Sequence, residues 1–188
     1  MRMAGNVSST LKRGRLAAFA AALALLAARG AHAQAPDTTP HVDPAWLRSD
    51  AHGKVVQFQL TAGLTSANGY NNFNGYKAGG LTLTVPKGWH VVLEFKNADT
   101  SAHHSAEVIP ETSDIPAGPV PPSFPRAFTI RLADGLPPQA VDTMRFVPDK
   151  AGSYLIFCAV PGHGAQGAWI RLRVGEKGTE PGVEATKP

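Results

Sequence analysis

The sequence predicts an all-β domain, either a sandwich or a barrel, from two observations. Apolar and polar side chains alternate with a period of two in several short segments, and turn signals rich in Gly, Asn and Pro separate these segments. Outside the first 33 residues, no segment of the sequence has the helical period that an amphipathic helix requires. The chain also lacks an internal repeat, so the pattern predicts one domain built from many short strands.

The clearest predicted strand is Trp89–Phe95, where Val91, Leu93 and Phe95 share one face. Residues 63–80 are rich in Gly and Asn and are predicted to form a loop or an irregular hairpin. The predicted strands, in chain order, are the segment beginning at Lys54, then Leu81–Val85, Trp89–Phe95, His103–Ile109, Phe128–Leu132, Thr143–Val147, Ser153–Ala159 and Trp169–Val174.

The ends of the chain differ from this β region. Residues 1–33 have a basic start, an apolar run and the small-residue pattern Ala31-His32-Ala33, which together predict a signal peptide; an uncleaved anchor is the alternative. Residues 34–53 are predicted to be an N-terminal arm, residues 54–174 the folded domain, and residues 175–188 a disordered tail rich in Gly, Pro and charge.

The charge balance excludes one class of function. The 188 residues carry a formal net charge of +4, but five of the 18 basic residues and none of the acidic ones precede Gln34. Cleavage there would leave 13 basic and 14 acidic residues, a net charge of −1. A nucleic-acid-binding domain needs a basic surface, so we expect no nucleic-acid partner.

Cys158 is the single cysteine of the chain, so an internal disulfide is impossible. In an exported protein such a thiol is paired with another molecule, buried and inert, reactive, or bound to a metal. Cys158 ends an apolar strand, a Pro-Gly turn follows, and His163 comes five positions later. One loop can therefore supply a thiolate and an imidazole to a single ion.

A third ligand is expected from His103 or His104, on the predicted strand that follows Phe95-Lys96-Asn97. Ala106 and Val108 share a face with His104, whereas Ser105 and Glu107 share a face with His103. A ligand approaches the ion from the apolar interior, so His104 is favoured. The resulting metal site of His104, Cys158 and His163 is the two-histidine, one-cysteine donor set of blue-copper proteins.

Several segments resemble cupredoxins. They are Val85-Pro86-Lys87-Gly88, Phe95-Lys96-Asn97, His104-Ser105 and the stretch from Phe157-Cys158 to Trp169, which is especially similar to sulfocyanin. The resemblance extends over roughly Lys54 to Val174. It implies a single-domain Greek-key β-sandwich, one copper ion of type 1 and one-electron transfer without enzymatic turnover.

One position departs from the cupredoxin pattern. The family usually has an axial methionine five positions after the loop histidine, and this chain has Ala168 there. Outside the predicted signal peptide the one methionine is Met144, which is predicted to lie in the core. The axial position is therefore left open. A dry, three-coordinate site is favoured over one that admits water, because the surrounding Gly and Ala residues supply few hydrogen-bond partners. If Ala168 does not face the metal, Gln166 or a backbone carbonyl would be the first candidates.

These observations predict a periplasmic or secreted copper protein that carries electrons. Its partners would be redox proteins that dock weakly and transiently at the small, apolar turn around His163. The alternative is a module that stores, delivers or senses copper through an open axial position. No catalytic carboxylate pair or Ser/His/Asp arrangement is visible in the sequence, so an enzyme is not expected.

Overall fold

A computed structural model describes residues 41–186, and these contain nine strands, two short 3₁₀ segments (Pro44–Trp46 and Ala67–Tyr70) and no α-helix. The predicted signal peptide of residues 1–33 lies outside the described residues, as do residues 34–40 of the predicted arm. Within the described part, no helix is long and apolar enough to cross a membrane. The strands are β1 Leu47–Asp50, β2 Val55–Ala62, β3 Leu81–Pro86, β4 His90–Asn97, β5 Glu107–Pro110, β6 Val141–Phe146, β7 Gly152–Phe157, β8 Trp169–Gly175 and β9 Gly182–Ala185.

The strands form two mixed sheets. One sheet has the order β1-β2-β4-β6, with β2 and β4 parallel. The other has the order β5-β7-β8-β3-β9, with β3 and β8 parallel. Because strands that are distant in sequence pair within each sheet, the loops between β4 and β5 and between β7 and β8 can meet at one place.

Alternation along the strands builds the core, as predicted. In β2 the side chains of Val56, Phe58 and Leu60 are fully buried, and Val91, Leu93 and Phe95 are buried on the neighbouring β4. Met144 of β6 is paired with Leu93 and is buried in the same cluster, as expected of a core residue. The all-β sandwich predicted from the sequence is confirmed.

The prediction of a strand at Phe128–Leu132 is wrong. The segment makes only an isolated bridge between Phe128 and Glu107, and the backbone N–H of Ile130 donates to a carboxylate oxygen of Asp142 at 2.8 Å. Arg131 has a φ of 57°, which interrupts an extended chain. Strand β5 also begins later than predicted, at Glu107 rather than His103.

The two ends of the described chain contain more structure than the sequence indicates. Within the predicted arm, β1 pairs antiparallel with β2. Within the tail for which disorder is predicted, β9 pairs antiparallel with β3, and Val183 packs against the core. Composition alone gives no sign of this pairing, because its hydrogen bonds come from the backbone of a sheet edge that would otherwise be open.

Candidate metal centre

Cys158 follows the last residue of β7 and is completely buried. Its backbone N–H donates to the carbonyl of Ala168 at 2.8 Å, which ties the start of the β7–β8 turn to its end. The strand fixes the direction from which the side chain leaves the backbone. The sulfur therefore has a defined position at the end of the second sheet.

His163 lies within the same turn and is half-buried. Its N–H donates to the carbonyl of Val160 at 3.0 Å, and its own carbonyl accepts from the N–H of Ala168 at 3.1 Å. Gly164 follows in a tight space, since a Cβ there would lie 2.9 Å from the Phe157 ring and 3.2 Å from the Cys158 carbonyl. A side chain at position 164 would push the turn away from the strand end, so glycine keeps His163 beside Cys158.

His104 comes from the loop between β4 and β5 and is buried, with 1% of its surface exposed. An isolated antiparallel bridge to Leu136 holds it: Leu136 N–H donates to the His104 carbonyl at 2.7 Å, and His104 N–H donates back at 3.2 Å. The position is thus fixed by the loop that precedes β6, although no regular strand contains it.

The three predicted metal ligands lie together. The Nδ1 atoms of His104 and His163 are 3.8 Å and 3.6 Å from the Cys158 sulfur. One ligand atom from each of the three side chains lies within 4.8 Å of the other two. Among residues 41–186, this is the only group of three His, Cys, Asp or Glu side chains placed to share an ion.

The other histidines among residues 41–186 lie outside this group. His103 is exposed, and its Nδ1 lies 3.0 Å from the backbone carbonyl of Asp134. His41, His52 and His90 are also exposed. Of the two adjacent histidines, His104 is therefore the one whose ring lies beside the Cys158 sulfur.

The comparisons with known proteins point to one class of copper protein. A family model described as the sulfocyanin (SoxE) domain matches residues 44–129. A sulfocyanin from Sulfolobus acidocaldarius is 28% identical over 131 residues, which span 65% of this chain and 65% of that protein. The structure of rusticyanin from Thiobacillus ferrooxidans aligns with a TM-score of 0.50 at 22% identity, covering 69% of this chain and 86% of that one. A rusticyanin variant gives a TM-score of 0.54 at 23% identity, with coverages of 73% and 86%.

The chain has a cupredoxin fold and is similar to sulfocyanin. The family match includes His104 but ends before the turn that carries Cys158 and His163. At this low identity the likeness to rusticyanin concerns the fold. The placement of the three candidate ligands therefore has to be judged on this chain's own geometry.

The geometry of this site fits one copper ion. Two imidazoles and one thiolate are the donor set of a trigonal copper site. With bond lengths of roughly 2.3 Å to sulfur and 2.0 Å to nitrogen, typical of first-row metals, an angle of about 120° separates the two donors by about 3.7 Å. The observed separations of 3.6 Å and 3.8 Å between sulfur and nitrogen match this value.

Burial sets the protonation of these groups in the absence of metal. It raises the pKa of the Cys158 thiol, against the hydrogen bonds from the backbone of Ser105 and Val160, which lower it. Burial lowers the pKa of His104 and of His163, while Asp99 raises both. Neutral imidazoles are ready to coordinate, whereas the thiol must release a proton when a metal binds.

Two residues that the sequence analysis missed surround these ligands. Asp99 places its Oδ2 atom 3.1 Å from Nε2 of His104, and both side chains are buried. Burial alone would raise the pKa of the Asp99 carboxyl, but hydrogen bonds from Ser101, Ala102 and His104 outweigh it and hold the pKa at about 2. The one feature of the sequence that could have identified Asp99 is its place as an acidic residue in the polar connection, five positions before His104.

Ser105 is the second of these residues. Its N–H donates to the Cys158 sulfur at 3.4 Å, and its hydroxyl donates to the carbonyl of Leu132 at 2.8 Å. The same hydroxyl oxygen accepts from the N–H of Ala159 at 3.1 Å. Ser105 therefore joins the loop of His104 to the strand end that carries Cys158.

The axial position has no side-chain ligand from the expected place. Ala168 is 1% exposed, and its methyl group belongs to the apolar core. Gln166 is exposed, and its side-chain Oε1 accepts from Nδ2 of Asn71 at 3.0 Å. That hydrogen bond occupies the Gln166 amide oxygen, which weakens its candidacy as an axial ligand.

Proposed function

We propose that this cupredoxin is an electron-transfer protein that holds one copper ion in a type 1-like site. Nδ1 of His104, Sγ of Cys158 and Nδ1 of His163 would be the ligands. The observation that carries the proposal is the convergence of these three atoms at separations that suit a single ion. Copper bound there would alternate between Cu(II) and Cu(I) by gaining and losing one electron, without substrate turnover.

The protein contributes a donor set that is fixed before the metal binds. Each ligand is held by hydrogen bonds outside the site: Cys158 through the Ala168 carbonyl, His163 through Val160, and His104 through Leu136. Ligands that move little between the two oxidation states keep the reorganisation on electron transfer small. The N–H of Ser105 directed at the sulfur withdraws electron density from the thiolate and so tunes the reduction potential.

The His163 turn offers a route for the electron to the surface. Pro161 and Ala165 are exposed on either side of the half-buried His163. A partner that covered this small, apolar turn would approach the site without displacing a charged side chain of the turn itself. We propose weak, transient docking of a redox protein here, because a carrier must release its partner after each transfer.

A second candidate function rests on Ala168. The methyl group cannot coordinate copper, so the fourth position lacks the usual thioether. If copper exchanges through that position, the protein would store, deliver or sense copper instead. Retention of copper against a competing chelator, together with fast electron exchange, supports the carrier; ready loss of copper to the chelator supports the delivery module.

We also propose a periplasmic or secreted location. The proposal rests on the signal-peptide pattern of residues 1–33. Detection of the processed chain outside the cytoplasm, with Gln34 at its N-terminus, would test it.

The test of the copper site is the optical and EPR spectrum of the copper-loaded protein. An intense visible band from thiolate-to-copper charge transfer is expected, and Cys158→Ser should abolish it while the β-sheet signal in circular dichroism persists. Cys158 is the chain's one cysteine, so no second thiolate of the chain could replace it. A band that persists in folded Cys158→Ser would show that the proposed ligand set is wrong.

A further inference from the structure

The side chain of Asp99 makes a buried contact with the far side of the His104 ring. Oδ2 of Asp99 lies 3.1 Å from Nε2 of His104, and the two side chains are 2% and 1% exposed. The opposite ring nitrogen, Nδ1, faces the Cys158 sulfur at 3.8 Å. Carboxylate, imidazole and thiol therefore lie in one line of contacts across the site.

This contact determines which ring nitrogen of His104 carries the proton. An ionised carboxylate only accepts hydrogen bonds, so Nε2 must be the donor and Nδ1 keeps its lone pair. That lone pair is the one directed towards the Cys158 sulfur. The tautomer that can bind a metal is thus selected before any metal arrives.

Asp99 is itself held by a dedicated set of hydrogen bonds. Its Oδ1 atom accepts from the N–H of Ser101 at 2.8 Å, from the Ser101 hydroxyl at 3.1 Å and from the N–H of Ala102 at 3.1 Å. Asn97, at the end of β4, accepts from the Asp99 N–H at 3.0 Å. With Oδ1 occupied by these donors, Oδ2 is left for His104.

Asn97 extends this network to the loop that holds His104. Its Nδ2 group donates to the carbonyls of Ala102 and Leu136, both at 2.9 Å. Leu136 is also the bridge partner of His104. The strand end, the Asp99 loop and the His104 loop are therefore one connected unit, which makes the carboxylate position a property of the fold.

We propose that Asp99 is a positioning residue that acts through His104, and this inference rests on the proposed copper function. It fixes the His104 tautomer, strengthens copper binding and, through its negative charge, favours Cu(II) over Cu(I). A buried charge close to a metal acts through a low effective dielectric, so it stabilises the more highly charged oxidation state. Wild-type protein should accordingly have a lower reduction potential than a variant that lacks the charge.

Two substitutions separate the charge from the hydrogen bond. Asp99→Asn removes the charge and keeps one side-chain oxygen, which can accept from Nε2 of His104 if the amide nitrogen takes the place of Oδ1, at the expense of the hydrogen bonds from Ser101 and Ala102. The charge-transfer band should then persist while the potential rises. A tenfold weaker preference for Cu(II) corresponds to a rise of about 59 mV. Asp99→Ala removes both effects and should lower copper affinity by roughly 10- to 100-fold, the usual effect of losing such a partner.

Asp134→Asn is the matched control. Asp134 is 75% exposed, and its backbone carbonyl contacts His103 rather than a proposed ligand. The reduction potential and the copper affinity of Asp134→Asn should equal those of wild type. If Asp99→Asn has the same potential as Asp134→Asn, and Asp99→Ala binds copper as wild type does, the proposal is overturned.

Nitrogen NMR of the metal-free proteins gives a readout that does not depend on copper. His104 should be a single Nε2–H tautomer in wild type and Asp134→Asn, and a mixture in Asp99→Ala. An unchanged tautomer in folded Asp99→Ala would refute the positioning role. Absence of the charge-transfer band in wild type would instead refute the copper function, and the NMR result would still decide how Asp99 affects His104.

Discussion

The backbone N–H of Ser105 donates to the sulfur of Cys158 at 3.4 Å, and the Ser105 hydroxyl lies 3.9 Å from the same sulfur. The hydroxyl is already engaged in two shorter hydrogen bonds, to Leu132 and from Ala159. Ser105 therefore has two separate roles, since its backbone contacts the candidate ligand and its side chain joins three segments of the chain.

Ser105→Ala should destabilise the metal-free protein without abolishing the metal site. The substitution leaves the Ala159 N–H and the Leu132 carbonyl without their partner in a buried region, which costs about 1–3 kcal/mol. The backbone N–H to sulfur is retained, so the charge-transfer band should persist. Chemical denaturation of the metal-free variant measures the first effect, and the optical spectrum after copper loading measures the second.

Ser153→Ala is the control, because Ser153 is exposed on β7 and its substitution should change the free energy of unfolding by no more than about 0.5 kcal/mol. Equal stability of the two variants would mean that the hydroxyl of Ser105 does not contribute to the fold. Loss of the band in a folded Ser105→Ala protein would mean that the side chain also positions the metal.

The adjacent histidines should respond differently to the same substitution. His104→Ala removes a buried candidate ligand, so the copper spectrum should change strongly and affinity should fall. His103→Ala removes an exposed side chain whose contact is a backbone carbonyl outside the site, so the spectrum should stay as in wild type. Optical titration with copper compares the two, and the reverse result would move the proposed ligand by one residue.

The sequence analysis favoured His104 for a reason that is partly wrong. Alternation along a strand favoured it, but β5 begins only at Glu107, and His104, Ser105 and Ala106 are all buried regardless of face. What distinguishes His104 is its bridge to Leu136 and its contact with Asp99. Leu136 is not recognisable from local pattern, because its position beside His104 depends on tertiary pairing. Asp99 is visible in the sequence only as an acidic residue in the same loop as His104.

The sequence also identified the strands better than the ends of the fold. Strands with a clear alternation, such as β2 and β4, lie close to where they were predicted. Strand β9 has only four residues and a Gly- and charge-rich context, so its formation depends on the open edge of β3. The composition of the β9 segment cannot predict this pairing, because the partner strand β3 lies about a hundred residues earlier in the chain.

Glu107 should make the stability of the metal-free protein depend on pH. The side chain is fully buried, and its Oε1 has no hydrogen-bond partner among residues 41–186. Burial raises the pKa of Glu107 from 4.5 to about 7, against a hydrogen bond from the Val120 N–H that lowers it. Between these two values the folded state holds more protons than the unfolded state, so the free energy of unfolding falls as pH rises.

Glu107→Gln removes this titration. Relative to wild type, Glu107→Gln should gain about 3 kcal/mol in the free energy of unfolding when the pH is raised from 4 to 8. The size of the pKa shift implies this value. The buried histidines titrate in both proteins, so they cancel in the difference. Glu94→Gln, at an exposed position on β4, is the control for loss of a carboxylate at the surface. A constant difference across this range for Glu107→Gln would show that the fold does not raise the pKa of Glu107.

Ala168→Met should test whether position 168 faces the metal. The backbone of Ala168 hydrogen-bonds to both turn ligands, through Cys158 N–H and the His163 carbonyl. A thioether placed here would add a donor, stabilise Cu(II) relative to Cu(I) and lower the reduction potential. Because Ala168 is buried, the larger side chain should also cost about 1–3 kcal/mol in the metal-free protein unless the turn opens to accommodate it.

Voltammetry and the optical spectrum of copper-loaded Ala168→Met provide the measurement, with Ala165→Met as the control. Ala165 is exposed in the same turn, so a methionine there should change neither the potential nor the spectrum. A lower potential with a more ordinary blue-copper spectrum in Ala168→Met alone would place this residue at the axial position. Identical potentials for the two variants would exclude position 168 as the axial neighbour. With the Gln166 amide oxygen held by Asn71, a backbone carbonyl would then be the first candidate for the fourth ligand.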